Sequence, residues 1–337
     1  MRIVLVGFGV VAQSLCRLLL SKERELALSF GMVPRVVAMV DTRSFLFDDH
    51  GIDLARALKK KTRTGRAGNP RGTRNTADII REVDGDVVVE STPTIFRTGE
   101  PALSHIKAAF QSKKSVVTTN KGPLAVAFRA LIELAHHNGV YFRFSGAVGG
   151  GTPILDFGRS CARGDAIVGI TGILNSTSNY VLTKMEEGGL GFEEALSMAQ
   201  KEGYAEADPS LDVGGFDSAV KLVIMANFLL GRNATMGDVR ITGIRGIDQE
   251  RLREARAKGM AVRLMARAEG SLTVSPVEIP SNDPLCISGP FNAVKFICEN
   301  SGEKIIVGKG AGGIETASSV LRDLIEIRGL LGARILN

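Results

Sequence analysis

The sequence predicts an α/β protein, with a doubly wound parallel sheet first and a second domain of α+β character after it. Three observations predict this. From residue 2 to residue 144, short apolar strands alternate with helical stretches, the pattern of parallel strands joined by crossovers. The first of those strands runs straight into a glycine turn that opens a helix. At residue 145 the alternation stops in a glycine-rich run, and a different pattern follows.

The totals set the bounds. A chain of 337 residues is long enough for two domains. With 44% hydrophobic and 23% charged residues, it can bury a sizeable core. No apolar run approaches about 18 residues, so no membrane-spanning helix is expected. The N-terminus, MRIVLVGFGVVAQSL, has no secretory cleavage pattern and reads directly as structure. Cys16, Cys161, Cys286 and Cys298 are scattered, as free thiols of a reducing cytoplasm are. His50, His105, His136 and His137 show no metal-ligand spacing. Net charge is +6, and much of the excess lies in Arg56 to Arg74. That stretch lacks interleaved aromatics, and the chain has no Trp and three Tyr, which argues against nucleic acid as a partner. A solvated, flexible loop is the expectation there. The alternative is that part of it reaches an anionic cofactor.

In order along the chain, Arg2 to Val6 is the first strand. Gly7-Phe8-Gly9-Val10-Val11-Ala12 follows, then a helix from Val10 to about Leu20. In this strand-turn-helix setting the GxGxxA spacing has a mechanism. Gly7 permits the tight turn, Gly9 lets backbone approach a pyrophosphate, and Ala12 lets helix and strand pack closely. The helix N-terminus offers N–H groups to phosphate. The first domain is therefore Rossmann-like.

Arg35 to Val40 is the second strand, ending at Asp41-Thr42-Arg43-Ser44 after an inserted SKERELALSFGMVP. An acid here favours NAD through the ribose 2′-hydroxyl, whereas Arg43 favours the 2′-phosphate of NADP. The basic stretch beyond Arg56 tilts the reading toward NADP. Both residues are equally ordinary as polar loop residues. Asp86 to Glu90 is a third strand, leading to Ser91-Thr92. A helix, Pro101 to Phe110, is followed by a fourth strand, Ser115 to Thr119, then Asn120-Lys121-Gly122-Pro123. A helix from Leu124 to His137 and a strand from Val140 to Phe144 complete the alternation. Thr92 and Lys121 stand at strand carboxyl ends, where ligands of such sheets bind.

At SGAVGGGTP, Ser145 to Pro153, three consecutive glycines free the backbone for close approach by a ligand or ion. The domain boundary is read here: residues 1–145 form the nucleotide-binding domain, and residues 146–305 a second domain. Residues 306–337 return to complete the first domain, with the Ala317 to Arg328 helix packing near the cofactor. Ile167 to Leu174 reads as a strand. Asn175 to Asn179 reads as a helix cap, with a helix from Tyr180. Phe192 to Glu202 is an amphipathic helix, and Leu272 to Ile279 a strand.

The most informative stretch is Gly203 to Lys221, GYAEADPSLDVGGFDSAVK. It carries Glu206, Asp208, Asp212 and Asp217 and ends on Lys221. From Phe216 a helix runs to Leu230, stopped by Gly231. Asp217 and Lys221 fall i,i+4 on one face. A solvated ion pair is the plain alternative. Against it, Lys221 is flanked by Ala219, Val220, Leu222, Val223 and Ile224, so it is expected to be desolvated. Acids around one buried lysine suit a small zwitterion: the acids hold an ammonium group, and the lysine faces an oxygen.

The motifs GFGVVA, TNKGPLA, VGGGTPI, GILNSTSNYVLTKM, EGYAEADPSLDVGGFDSAVKL and GKGAGGIETASSVLRDL occur in this order across essentially the whole chain. Together they resemble homoserine dehydrogenase. The resemblance implies NAD- or NADP-dependent interconversion of L-aspartate 4-semialdehyde and L-homoserine, on the route to threonine and methionine. It implies Lys221 as proton donor, with Lys121 near nicotinamide and substrate. It implies Glu206, Asp212 and Asp217 as substrate ligands. Gly7, Phe8, Gly9, Val10 and Val11 would form the cofactor loop, with Thr92, Lys121 and Gly310 as further cofactor contacts; Arg43 joins them from its place after the second strand. It also implies a sodium ion on the carbonyls of Val148 and Gly150. Ser145 and Gly146 stand where many members carry Glu-Ala or Glu-Ser. The family further implies a homodimer joined through the second domain, with a small-molecule substrate and neither nucleic acid nor membrane as partner. As a form with no ACT domain, the chain would lack threonine feedback.

Two rivals are carried. Aspartate-semialdehyde dehydrogenase needs an activated cysteine and a catalytic histidine. Cys161 has no such signature, and no histidine follows it. A catalytically silent NAD(P)-binding sensor would bind cofactor without turnover.

Overall fold

The structure, a computed structural model, describes residues 1–70, 72 and 74–335, with side chains as far as residue 332. Arg71 and Thr73 of the basic stretch, and residues 336–337 at the end of the C-terminal segment, lie outside the described residues. The chain forms two compact units. One is Met1–Ala147 together with the stretch from Gly312 onward, and the other is Val148–Ala311.

The first unit begins β1 (Arg2–Val6), α1 (Val10–Ser21), α2 (Glu23–Phe30), β2 (Arg35–Val40), β3 (Ser44–Phe47), α3 (Leu54–Thr64) and β4 (Asn69–Pro70). It continues α4 (Thr76–Glu82), β5 (Val87–Glu90), α5 (Ala102–Gln111), β6 (Ser115–Thr118), α6 (Lys121–Asn138) and β7 (Phe142–Arg143). Strand order is β4-β3-β2-β1-β5-β6-β7. β1 lies between β2 and β5 and runs parallel to both, with Leu5 opposite Met39 on one side and Val89 on the other. Connections therefore leave β1 toward opposite edges. This is the switch point at which such sheets open a crevice beyond their carboxyl ends.

Three expectations are corrected here. The sheet is not parallel throughout. β3 turns back antiparallel on β2, and β4 pairs with β3 in the same sense. The reversal is local: the Asp41 N–H donates to the Ser44 carbonyl at 2.8 Å, closing a hairpin right after β2. Secondly, much of the basic stretch is helix and not loop. Asp53 caps α3 by accepting from the Arg56 N–H at 2.9 Å, and Gly65 ends it in the left-handed region. Leu54, Ala57 and Leu58 turn inward to the core, leaving the cations outside. The insertion before β2 is likewise helix, α2, ended by Gly31.

The second unit contains α7 (Ile154–Cys161), β8 (Ile167–Ile173), α8 (Ser176–Gly188), α9 (Phe192–Lys201), α10 (Ser210–Val213) and α11 (Phe216–Leu229). It closes with β9 (Val239–Ile241), α12 (Gln249–Ala257), β10 (Met260–Glu269), β11 (Ser271–Pro280), β12 (Phe291–Cys298) and β13 (Gly302–Lys309). Its sheet has the order β13-β12-β8-β10-β11-β9. Helices α8, α11 and α12 lie against β10, and α7 lies against β12 and β13. Phe157 of α7 tilts over Phe296 of β12 at 6.0 Å between ring centres.

The last helix, α13 (Gly313–Ile335), belongs to the first unit. Its Ala317, Val320, Leu321, Leu324 and Ile327 join the core formed by Leu5, Leu15 and Leu19. Each buried aliphatic side chain contributes on the order of 1.5–3 kcal/mol. The third correction follows. Residues 306–311 do not return with α13, because Ile306 to Lys309 continue β13, paired antiparallel with β12. The first crossing between units falls at Ala147/Val148, just past the predicted residue 145.

Candidate active site

In the first unit the sequence-marked residues gather at the carboxyl ends of β1, β2, β5 and β6. Gly7 has φ +89°, and a Cβ there would lie 2.7 Å from the Ser91 carbonyl group. Only glycine lets the turn pass so close to the loop after β5. Gly9 precedes α1 with φ −82°, and no side chain caps the helix. Among the described residues, its chain neighbours aside, a Cβ at Gly9 would meet nothing within 4 Å. The helix thus begins with uncapped N–H groups facing open space, a cradle for a pyrophosphate. Phe8 is buried beneath the turn, Val11 half-buried, and Val10 is 69% exposed.

Beyond β2, Asp41 accepts from the Thr42 N–H at 2.6 Å and pairs with Lys61 of α3. Arg43 is exposed beside them. At the end of β5 stands a residue that sequence patterning missed. Glu90 is fully buried at the end of a Val-Val-Val run. It accepts from the Thr92 N–H at 3.1 Å, from the Thr92 hydroxyl, and from the Thr118 hydroxyl at 3.1 Å. Asn120 caps α6 by accepting from the Gly122 N–H at 3.0 Å, and its amide donates to the Thr92 carbonyl at 3.0 Å. Thr92 is therefore fixed from two sides, and Lys121, the first residue of α6, is tied to the same rim. The helix starts at Lys121, earlier than Leu124, because the Asn120 cap acts before the Gly-Pro pair.

The second unit builds its own polar cluster around α11. Lys221 is 6% exposed inside an apolar helix. Its ammonium donates to the Leu174 carbonyl at 2.7 Å and pairs with Asp217 at 2.7 Å, one turn back. An ammonium has three N–H donors. Two are used, and the third has no partner among the described residues. Asn175 joins what the sequence holds far apart. Its amide donates to Asp212 at 2.6 Å and to Asp217 at 3.0 Å, while its carbonyl oxygen accepts from the Ser178 N–H at 2.8 Å to cap α8. That cap starts α8 at Ser176, four residues before the expected Tyr180. Thr177 donates to Asp212 at 3.2 Å, and Asn292 holds the Leu174 carbonyl at 3.0 Å. Burial pushes the Asp212 carboxyl above its ordinary range and neighbouring Asp217 adds to the rise, against the pull of Asn175, Lys221 and Thr177.

Of the four acids expected around Lys221, the structure joins two to it. Asp208 is exposed and accepts from the Ser210 N–H at 3.1 Å at the start of α10. Glu206 is exposed on the loop before α10, its backbone carbonyl held by Gln200 at 3.2 Å. The VGGG segment folds against residues 308–311 of the same unit. A Cβ at Gly150 would stand 2.9 Å from the Gly310 and Ala311 backbone, and the Thr152 hydroxyl donates to the Lys309 carbonyl at 3.0 Å. Val148 and Gly150 are buried there, and Gly310 packs against Asn292.

Comparison with known proteins is consistent along the chain. A family model for the homoserine dehydrogenase NAD-binding domain matches residues 7–145, and one for homoserine dehydrogenase matches residues 153–325. The homoserine dehydrogenase of Methanocaldococcus jannaschii is 43% identical over 97% of this chain and 98% of its own. The NAD(+)-dependent homoserine dehydrogenase of Pseudomonas canavaninivorans is 38% identical over 97% of this chain and 96% of its own. Among solved structures, a hyperthermophilic archaeal homoserine dehydrogenase in complex with NADPH superposes with a TM-score of 0.83 at 30% identity, covering 97% of each chain. A homoserine dehydrogenase from Thiobacillus denitrificans gives 0.86 at 29% identity, over 99% of this chain and 74% of its own.

Proposed function

The chain belongs to the homoserine dehydrogenase family, NAD(P)-dependent oxidoreductases, and on that premise we propose how its residues divide the reaction. The observation that carries the proposal is Lys221, a buried ammonium with one N–H donor unused. The nicotinamide, when bound, supplies or takes the hydride. Lys221 then hydrogen-bonds the substrate oxygen, stabilises the alkoxide as charge develops, and passes the proton. Asp217 and the Leu174 carbonyl hold the ammonium in place, so little reorganisation accompanies transfer. Asp212 and Asp217 offer carboxylates to the substrate ammonium, with Glu206 a third from its exposed loop. In the first unit, Gly7 to Val11 receive the pyrophosphate, and Thr92 and Lys121 flank the nicotinamide. Gly310 is assigned as a further cofactor contact. A thiolate route has no support: burial raises the Cys161 and Cys286 thiols and pushes Cys16 up to about 12. The direct test is homoserine oxidation with NAD and NADP in parallel, followed at the reduced-nicotinamide absorbance. Cofactor binding with no turnover would favour a silent sensor.

Lys61 supports NADP as the preferred cofactor. An acid after β2 ordinarily binds the ribose hydroxyls. Here Lys61 neutralises Asp41, leaving Arg43 and the lysine to meet a 2′-phosphate. Lys61→Ala is expected to shift the NADP to NAD ratio of kcat/KM toward NAD by at least about tenfold. An unchanged ratio would remove Lys61 from cofactor selection.

The raised Asp212 carboxyl gives a pH test with a definite sign. Asp212 holds an ammonium only when ionised, so kcat/KM for homoserine falls as pH drops through its raised pKa. That limb lies above the pH of an ordinary aspartate and disappears in Asp212→Asn. Stability responds oppositely. The folded state binds the extra proton, so this contribution is present at low pH and lost as pH rises through the folded pKa. A limb unmoved in Asp212→Asn would assign it to another group.

The buried VGGG backbone is proposed as a sodium site. Hard backbone oxygens suit such a cation, and Val148 and Gly150 would donate them. We assign homodimerisation to the sheet face of the second unit opposite α7. Phe296 faces the helix, so Lys295 and its cross-strand neighbour Thr171 point the other way. Static light scattering should give twice the 35.9 kDa chain mass. The four free thiols suit a cytoplasmic enzyme.

A further inference from the structure

The cations of α3 take no part in the assigned chemistry apart from Lys61. Arg56, Lys59, Lys60 and Arg63 fall at i, i+3, i+4 and i+7 on one helix face. All four line a cleft of about 960 Å³ between α3 and the β3 edge of the sheet. The cleft also has apolar walls, among them Leu46 and Ile52, and the ring of Phe47, which is 47% exposed. Lys61 of the same helix pairs with Asp41 and Arg74 nearby pairs with Glu82. Among the described residues, the four cleft cations have no such carboxylate. Two acids also line the cleft, and both are engaged by backbone. Asp48 accepts from the His50 N–H at 2.9 Å, and Asp53 caps α3. The balance of four cations and two acids is +2.

A solvated helix face is the ordinary fate of such residues. Two features argue against it. Like charges at this spacing repel by a few tenths of a kcal/mol per pair, and an exposed helix gains nothing from keeping them. Moreover, these cations ring a concavity with apolar walls, at the upper end of the roughly 300–1,000 Å³ usual for small-molecule sites. We propose that the cleft binds a nucleoside polyphosphate, with the phosphates on Arg56, Lys59, Lys60 and Arg63 and the base on Phe47. Guanidinium and ammonium groups match phosphate oxygens, and an exposed aromatic face stacks a planar base. The site is separate from the turn at Gly7 to Val11 and stands whether or not the dehydrogenase assignment of residues is right.

The test is calorimetric titration of the full-length protein with ATP while NADP is held in saturating excess. One equivalent of ATP should bind, and Lys59→Glu with Arg63→Glu should weaken it at least tenfold without altering NADP binding. Phe47→Ala should weaken ATP at least fivefold and leave inorganic tripolyphosphate unchanged. Lys59→Ala alone serves if the double variant does not fold, with a smaller loss expected. Absence of ATP binding overturns the proposal, as does its displacement by NADP. Equal affinity for tripolyphosphate and ATP, or binding unchanged in the charge variants, overturns it too.

Discussion

Lys221→Ala should lower kcat for homoserine oxidation by ~10²–10⁴-fold, the range of a lost general acid-base group. NADP binding should stay as in the parent, because Lys221 lies in the second unit and the cofactor turn in the first. The fold has means to survive the change. The Leu174 carbonyl keeps its hydrogen bond from Asn292, and Asp217 keeps its own from Asn175. Asp217 nevertheless loses its cation inside a buried site, so the melting temperature should fall. Adding Asp217→Asn removes the stranded charge and should recover part of that loss without recovering activity. Lys221→Arg separates charge from proton delivery. A guanidinium supplies the positive charge but does not release a proton near neutral pH. It should therefore stay at least about tenfold below the parent in kcat. Lys221→Ala retaining activity within a factor of ten would sink the assignment.

The sequence made the carriers of this site legible, though not their wiring. Asp217 and Lys221 are i,i+4 on an apolar helix, so their pairing follows from helix geometry alone. Gly7, Gly9 and Ala12 are readable because their spacing has meaning only between a strand and a helix. Asn175 could be read as a cap but not as the bridge between Asp212 and Asp217. Those contacts span 37 and 42 residues and exist only once β8 and α11 are packed. Glu90 illustrates the same limit. An acid closing a valine run is ambiguous until its partners, Thr92 and Thr118, are brought in from two strand ends. α3 was missed for another reason. Its inward stripe is only Leu54, Ala57 and Leu58, too narrow to stand out among six Lys and Arg residues between 54 and 66. The excess of acids expected around Lys221 has the opposite cause. Nearness in sequence is not nearness in space: Glu206 and Asp208 are both exposed on the stretch before α10.

Gly9→Val should abolish measurable dinucleotide binding, a loss of at least about 100-fold in Kd, or roughly 2.7 kcal/mol, while leaving the melting temperature within about 1 °C of the parent. The two glycines of the turn differ in why they are glycine. Gly7 sits at φ +89°, and any Cβ would press on the Ser91 carbonyl, so substitution there strains the fold itself. Gly9 sits at φ −82° and ψ −161°, an extended conformation that valine adopts readily. Among the described residues, its chain neighbours aside, nothing lies within 4 Å of its missing Cβ. The fold therefore gives no reason for glycine at position 9, and the reason must lie in what occupies the space above the α1 N-terminus. A branched side chain would fill that space and hold a pyrophosphate away from the uncapped N–H groups. Fluorescence titration with NADPH and NADH measures the loss, and a thermal melt checks the fold. A Gly9→Val protein that binds either cofactor like the parent would move the phosphates off this helix. A protein that binds neither and melts early would mean that the turn, and not the ligand, requires glycine at position 9.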